Sequence, residues 1–128
     1  MADDTEVKHP PSGSTRQMMM AQGEACHLVR DYLAHFANPL RLRILCSLLD
    51  GRASVTELVT AAGARQPAVS QQLNLLRLAG IVLRKQEGSC RYYQIADPVA
   101  LEMMEDILVI AEKLWARRDQ SGTPEPDE

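Results

Sequence analysis

Two groups of residues in this 128-residue chain have side chains able to do specific chemistry. Gln66, Ser70, Gln71, Asn74 and Arg77 recur at helical spacing behind Arg65, and Arg91 follows further on. Gln matches the donor and acceptor on an adenine edge, Ser bonds to most base edges, and arginines suit phosphates. A polar helix front flanked by cations is therefore suited to reading duplex DNA, although a helix face that meets only water has the same composition. The second group is Cys26, Cys46 and Cys90, an odd number at wide spacing. That argues against an internal disulfide framework and against a closed zinc site, and favours free thiols in a reducing compartment. Cys46, within Ile44-Leu45-Cys46-Ser47-Leu48, is either a small hydrophobe in the core or a reactive thiol.

The charges are sorted along the chain. The net charge is -3, yet between Ala37 and Ile95 Asp50, Glu57 and Glu87 face Arg41, Arg43, Arg52, Arg65, Arg77, Arg84, Lys85 and Arg91. This stretch is basic, and the excess acid lies in Met1–Glu6, Glu102–Glu112 and Asp119–Glu128. A hydrophobic content of 45% excludes wholesale disorder, and an aromatic content of 4% leaves few rings for base stacking. Charges interrupt every apolar run before the roughly 18 residues a membrane helix needs, and no signal-peptide segment is recognisable, so a cytoplasmic location is expected.

Local signals predict the elements that position these residues. Helical periodicity begins near Met18, with Ala25, Val29, Tyr32, Leu33 and Phe36 on one side, and gives a first helix. Asn38-Pro39 starts a second, because Asn can cap free N–H groups and Pro at the first position forfeits no hydrogen bond. Its buried face is Leu42, Leu45, Leu48 and Leu49, ending near Asp50-Gly51. Ser54-Val55-Thr56-Glu57 is a capping box that opens a third helix, which Gly63 can end in the left-handed conformation. Gln66-Pro67 starts a fourth, burying Val69, Leu73 and Leu76, and Ala79-Gly80 stops it. Two β-rich stretches, 81–85 and 90–95, flank a turn containing Gly88. Asp97-Pro98 then launches a long helix with the stripe Leu101, Met104, Leu108, Ala111 and Trp115.

Two helices joined by a tight turn and followed by a ribbon specify a winged helix-turn-helix, whose second helix enters the major groove. The expected fold class is mainly α, with five helices and a two-stranded β-wing, assembled as a homodimer. Residues 1–16 are expected to form a disordered arm, 17–118 the DNA-binding and dimerisation domain, and 119–128 a disordered acidic tail. Arg65, Gln66, Ser70, Gln71, Asn74, Arg77 and Arg91 are the expected DNA contacts. Tyr32, Leu101, Met104, Leu108 and Trp115 are the expected dimer contacts, since a monomer would leave the terminal stripe wet.

The chain resembles the ArsR/SmtB family through Ala37-Asn38-Pro39-Leu40-Arg41-Leu42-Arg43-Ile44-Leu45, Ser54-Val55-Thr56-Glu57-Leu58, Ala68-Val69-Ser70-Gln71-Gln72-Leu73 and Ala79-Gly80-Ile81-Val82. The resemblance runs from about Gly23 to Trp115. It implies a dimer built from the first and last helices, and a repressor that leaves its operator when an inducer binds. Gln72 stands where many members have His, which bears on base preference. The family's metal sensors carry Cys-x-Cys in the third helix or Asp/His pairs on the terminal helix, and neither pattern is present here. Cys46 is similar to the second-helix thiol of the family's persulfide- and redox-responsive branch. That branch pairs the thiol with another near the end of the last helix, and no cysteine follows Cys90. Cys26 or Cys90 would then act as the resolving thiol, or Cys46 would respond singly or between subunits.

The expected function is thus a DNA-binding repressor released from its double-stranded operator by thiol modification. The alternatives are an ArsR-type regulator that takes no ligand or responds to a metal or metalloid, and a winged-helix adaptor that binds protein. No catalytic set, cofactor motif or phosphate-binding Gly loop is recognisable, so neither an enzyme nor a cofactor is expected.

Overall fold

In a computed structural model of the chain, the described residues are 13–21 and 23–121. They form six α-helices and one three-stranded sheet: α1 Gly13–Met20, α2 Glu24–Ala34, α3 Pro39–Ser47, β1 Ala53–Ser54, α4 Val55–Ala62, α5 Gln66–Leu78, β2 Val82–Glu87, β3 Cys90–Ile95 and α6 Pro98–Ser121. The chain divides into two compact units at the Asn38–Pro39 junction. No helix among the described residues is long and apolar enough to cross a membrane.

The first unit corrects the expected single first helix. Gly23, extended and without a capping side chain, opens α2 after a bend at Ala21. Gly is a poor helix former, so the apolar periodicity that continues across it does not hold one helix together. Helix α1 begins at Gly13, inside the segment expected to be a disordered arm, and the arm's residues 1–12 lie outside the described residues. Tyr32 is half-buried with its ring 5.4 Å from that of Phe36 and 6.3 Å from that of His35.

In the second unit the local signals operate as their chemistry requires. Helix α3 starts at Pro39 and tightens after Ser47 into a 3-10 turn, Leu48–Asp50. Both halves of the capping box at α4 are present: Ser54 Oγ accepts from the Glu57 N–H at 3.1 Å, and Glu57 Oε1 accepts from the Ser54 N–H at 2.9 Å. Gly63 ends α4 at φ 65° and ψ 39°, a left-handed conformation that suits glycine. Ile44, Leu45, Leu48, Leu58, Val69, Leu73, Leu76, Ile81 and Val82 are buried in one aliphatic core. Each large side chain there contributes about 1.5–3 kcal/mol by burial.

The sheet has order β1-β3-β2, all antiparallel. The expected two-stranded wing therefore gains a third strand, Ala53–Ser54, whose residues pair with Tyr93 and Tyr92. A two-residue strand is too short to carry a readable alternation. The hairpin turns at Gly88, at φ 63°. Helix α6 is capped by Asp97, whose Oδ1 accepts from the Val99 N–H at 3.0 Å. It buries Ala100 and Met104, and continues through Ser121 into the segment expected to be a tail, whose residues 122–128 lie outside the described residues.

Candidate nucleic-acid interface

The turn of α5 gives its residues three surroundings. Val69, Leu73 and Leu76 point into the core. Gln66, Ser70 and Asn74, at spacings of four, share a flank that lines a groove of about 810 Å³ with the start of α4 and the wing. Gln71 is exposed, lies roughly opposite the buried stripe and is outside that groove. A helix laid in a major groove presents its outward pole and adjacent flank to base edges. Gln66, Ser70 and Gln71 thus occupy positions open to DNA.

Strand alternation supplies the opposite wall. Val82, Arg84 and Gln86 share one face of β2 and pair with Ile95, Tyr93 and Arg91 of β3. The inner end of this face is buried through Val82 and Tyr93, and its outer end brings Arg84, Gln86 and Arg91 to the groove. Of these only Arg91 was among the expected contacts. Arg84, Gln86, Ser89 and Thr56 line the same groove and were not among the expected contacts, although the parity of Arg84 and Gln86 with Val82 places them on this face.

Hydrogen bonds redistribute other expected contacts. Arg77 Nη2 donates to Asn74 Oδ1 at 2.8 Å, so the expected phosphate contact Arg77 and the expected DNA contact Asn74 engage each other. Arg65 is the exposed, extended residue ahead of α5. Gln72 is half-buried, with its Oε1 accepting from Arg41 Nε of α3 at 2.7 Å. Arg43, also on α3, donates from Nε to the Ala62 carbonyl at the end of α4 at 2.9 Å. One short helix thereby holds both helices of the reading motif.

The acids of the basic stretch are largely occupied. Glu57 serves the α4 cap, and Glu87 Oε2 accepts from Arg52 Nη1 at 2.6 Å. The Arg52 guanidinium also lies 4.1 Å from the centre of the Tyr92 ring. Its hydrogen bond and charge hold the Glu87 carboxyl below the usual carboxylate range, while Glu87 pushes Arg52 up. The hydrogen bond between Tyr92 and Cys90, and next the negative charge of the Cys90 side chain in its thiolate form, push the Tyr92 hydroxyl up. Among the described residues no carboxylate lines the groove beside its arginines.

All three cysteines are free and exposed. Cys46 therefore does not serve as core packing, and Arg41 and Arg43 are committed to Gln72 and Ala62. Cys90 lines the groove at the wing tip. Among the described residues no group of three or more His, Cys, Asp or Glu side chains is placed to hold a metal ion. Of the expected dimer residues, Leu101, Leu108 and Trp115 are 40%, 42% and 62% exposed. Met104 is 1% exposed and belongs to the protomer's own core, because its turn of α6 packs against the body of the unit.

The family model described as "Bacterial regulatory protein, arsR family" matches residues 38–84, from the start of α3 into β2. A biofilm growth-associated repressor of Agrobacterium fabrum is 40% identical over 78 residues, covering 61% of this chain and 67% of that protein. The crystal structure of the transcriptional repressor BigR from Xylella fastidiosa superposes with a TM-score of 0.68 at 31% identity, covering 75% of this chain and 95% of that one. A homodimeric winged helix-turn-helix DNA-binding domain from Mycobacterium bovis, a possible ArsR-family regulator, gives a TM-score of 0.59 at 26% identity, covering 85% and 100%. With a capped helix pair, a wing and a basic groove between them, the chain belongs to the arsR family of bacterial regulatory proteins and is a DNA-binding transcriptional repressor, not an enzyme.

Proposed function

We propose that this repressor acts in the cytoplasm as a homodimer, reads its operator with Gln66, Ser70 and Gln71, and is released by modification of Cys46. The observation that carries the inducer reading is the place of that thiol. Cys46 is exposed and free on α3, whose Arg41 and Arg43 hold α5 and α4. A polysulfide attacked by the Cys46 thiolate would lose a shorter polysulfide and leave a persulfide on the protein, with the broken S–S bond supplying the electron pair of the leaving group. A shift of α3 would move both reading helices together, and tenfold release needs only about 1.4 kcal/mol between the two states.

The dimer reading is supported by α6. Leu101, Leu108 and Trp115 leave an apolar surface uncovered, and Val99, Ile110 and Leu114 add a second exposed flank. Large apolar side chains exposed along a helix in this number mark an interaction surface more often than a free monomer face. Two-fold symmetry matches a paired half-site, and the homodimeric state of the Mycobacterium bovis domain supports the same assembly.

The test exposes reduced protein, bound to the duplex it selects from a random-sequence pool, to polysulfide, peroxide and arsenite in turn. Polysulfide should release the wild type and leave Cys46→Ser bound, with Cys26→Ser and Cys90→Ser showing whether either thiol resolves the first. Identical responses of wild type and Cys46→Ser would remove Cys46 from the mechanism. Release by arsenite alone would replace the thiol-oxidation reading with a metalloid one.

A further inference from the structure

Gln72 lies within the stretch of α5 that reads DNA, yet the structure turns it away from the groove. On the helical wheel it lies on the flank of the core stripe opposite Gln66, Ser70 and Asn74. There it is half-buried, and Arg41 Nε donates to its Oε1 at 2.7 Å across 31 residues of sequence. We propose that Arg41 and Gln72 are a positioning pair that sets the roll of the recognition helix, so that Gln72 governs DNA specificity without touching a base. This inference rests on the reading of α5 as the base-contacting helix.

The lever is geometric. The core stripe Val69, Leu73 and Leu76 decides which face of α5 points inward, but its aliphatic contacts are non-directional and set the roll less sharply than an oriented bond. A hydrogen bond is directional, and a guanidinium donor makes it one of the stronger kind. Side-chain tips ride roughly 5–6 Å from a helix axis, so a roll of about 20° carries them about 2 Å. That displacement breaks a base-edge hydrogen bond, whose donor–acceptor distance must stay within about 2.7–3.2 Å. Contacts from long arginine side chains to phosphates absorb the same displacement by changing rotamer. Loss of the pair should therefore lower discrimination between sequences and spare general DNA affinity.

The experiment measures binding of the full chain to two equal-length duplexes, one selected by the wild type from a random pool and one of random sequence. Gln72→Ala and Arg41→Ala should each cut the preference for the selected duplex about tenfold, within the usual range of coupling between sites. Affinity for random DNA and its salt slope should hold. The double variant should lose no more than either single one, because both remove the same link. Gln72→Glu keeps the acceptor and adds charge toward Arg41, so it should retain the preference.

Three results would overturn the pair. Loss with Gln72→Ala but not with Arg41→Ala would make Gln72 a direct base reader, as would collapse of binding with Gln72→Glu, since a carboxylate facing DNA is repelled. An Arg41→Ala that weakens both duplexes equally and lowers the salt slope by about one would make Arg41 a phosphate contact. Melting temperatures of all variants separate these outcomes from general destabilisation, which would weaken both duplexes in proportion. A failure of the underlying reading would look different: the wild type would select no duplex, and the pair would fall with it.

Discussion

The helix-turn-helix and the terminal helix are built on the same apolar periodicity, but they close it differently. From Pro39 to Leu78 the stripe of each helix meets another, and Leu45, Leu58 and Leu73 are buried within one chain. Along α6 only the first turns are covered, through Ala100 and Met104, while Leu108, Leu114 and Trp115 stand in water. Periodicity reports that a face wants burial without saying which molecule supplies the cover. The core of the helix-turn-helix is thus complete within one chain, whereas α6 leaves an apolar face open, which on the proposed reading a second copy covers.

The largest expected effects test that contrast directly. Leu73→Ala should cost about 2–5 kcal/mol of unfolding free energy, since it leaves a cavity in a packed core. Leu108→Glu should leave the fold of a protomer intact by circular dichroism and convert the protein to monomers in sedimentation, because a carboxylate in an apolar seam is expensive to desolvate. Paired half-sites should then be lost as a binding target. A wild type that sediments as a monomer at micromolar concentration would dissolve the contrast.

A smaller effect separates the two walls of the groove. Gln71→Ala should weaken binding to the selected duplex by about 1–3 kcal/mol with little change on random DNA, because a base contact matters only for the matching sequence. Arg91→Ala should weaken both and lower the salt slope by about one, as a phosphate contact does. Equal losses on the two duplexes for Gln71→Ala would move base reading off the outward pole of α5.

What the sequence revealed divides by distance along the chain. Ser54 with Glu57, Gly63 and Asp97 act within one turn of their partners and Pro39 opens α3, and each was legible because the chemistry is local. The links Arg41 to Gln72 and Arg52 to Glu87 span 31 and 35 residues, and no pattern in either segment announces them. Gln72 shows the consequence: the helical wheel sets it on the flank of the core stripe and Gln71 opposite that stripe, but its Arg41 partner on α3 is not readable from α5. Met104 shows the reverse, as its period matched Leu108 but its turn of helix lies against the protomer's own body. The break near Gly23 was hidden by apolar spacing that happens to continue across it.

The smallest expected effect concerns the face of the wing opposite Arg84 and Arg91, where Arg52 ties the segment ahead of β1 to Glu87 at the hairpin tip. Arg52 holds the Glu87 carboxyl below its ordinary value, by hydrogen bond first and charge second, with Lys85 adding to the effect. Protonation is therefore harder in the folded protein than in the unfolded chain, and the pair stabilises the fold above the ordinary carboxylate range. That contribution is lost as the pH falls from the ordinary value through the lowered one. Both side chains are about half exposed, at 44% and 55%, so the gain is small and salt should screen it. Thermal melts of wild type and Glu87→Gln in low salt should differ slightly at neutral pH, with the wild type higher. The two should converge in acid and at high salt. A gap that persists unchanged below the carboxylate range would show that Glu87 acts through packing at the tip, and that the wing is braced by the Arg52 contact with Tyr92 instead of by charge.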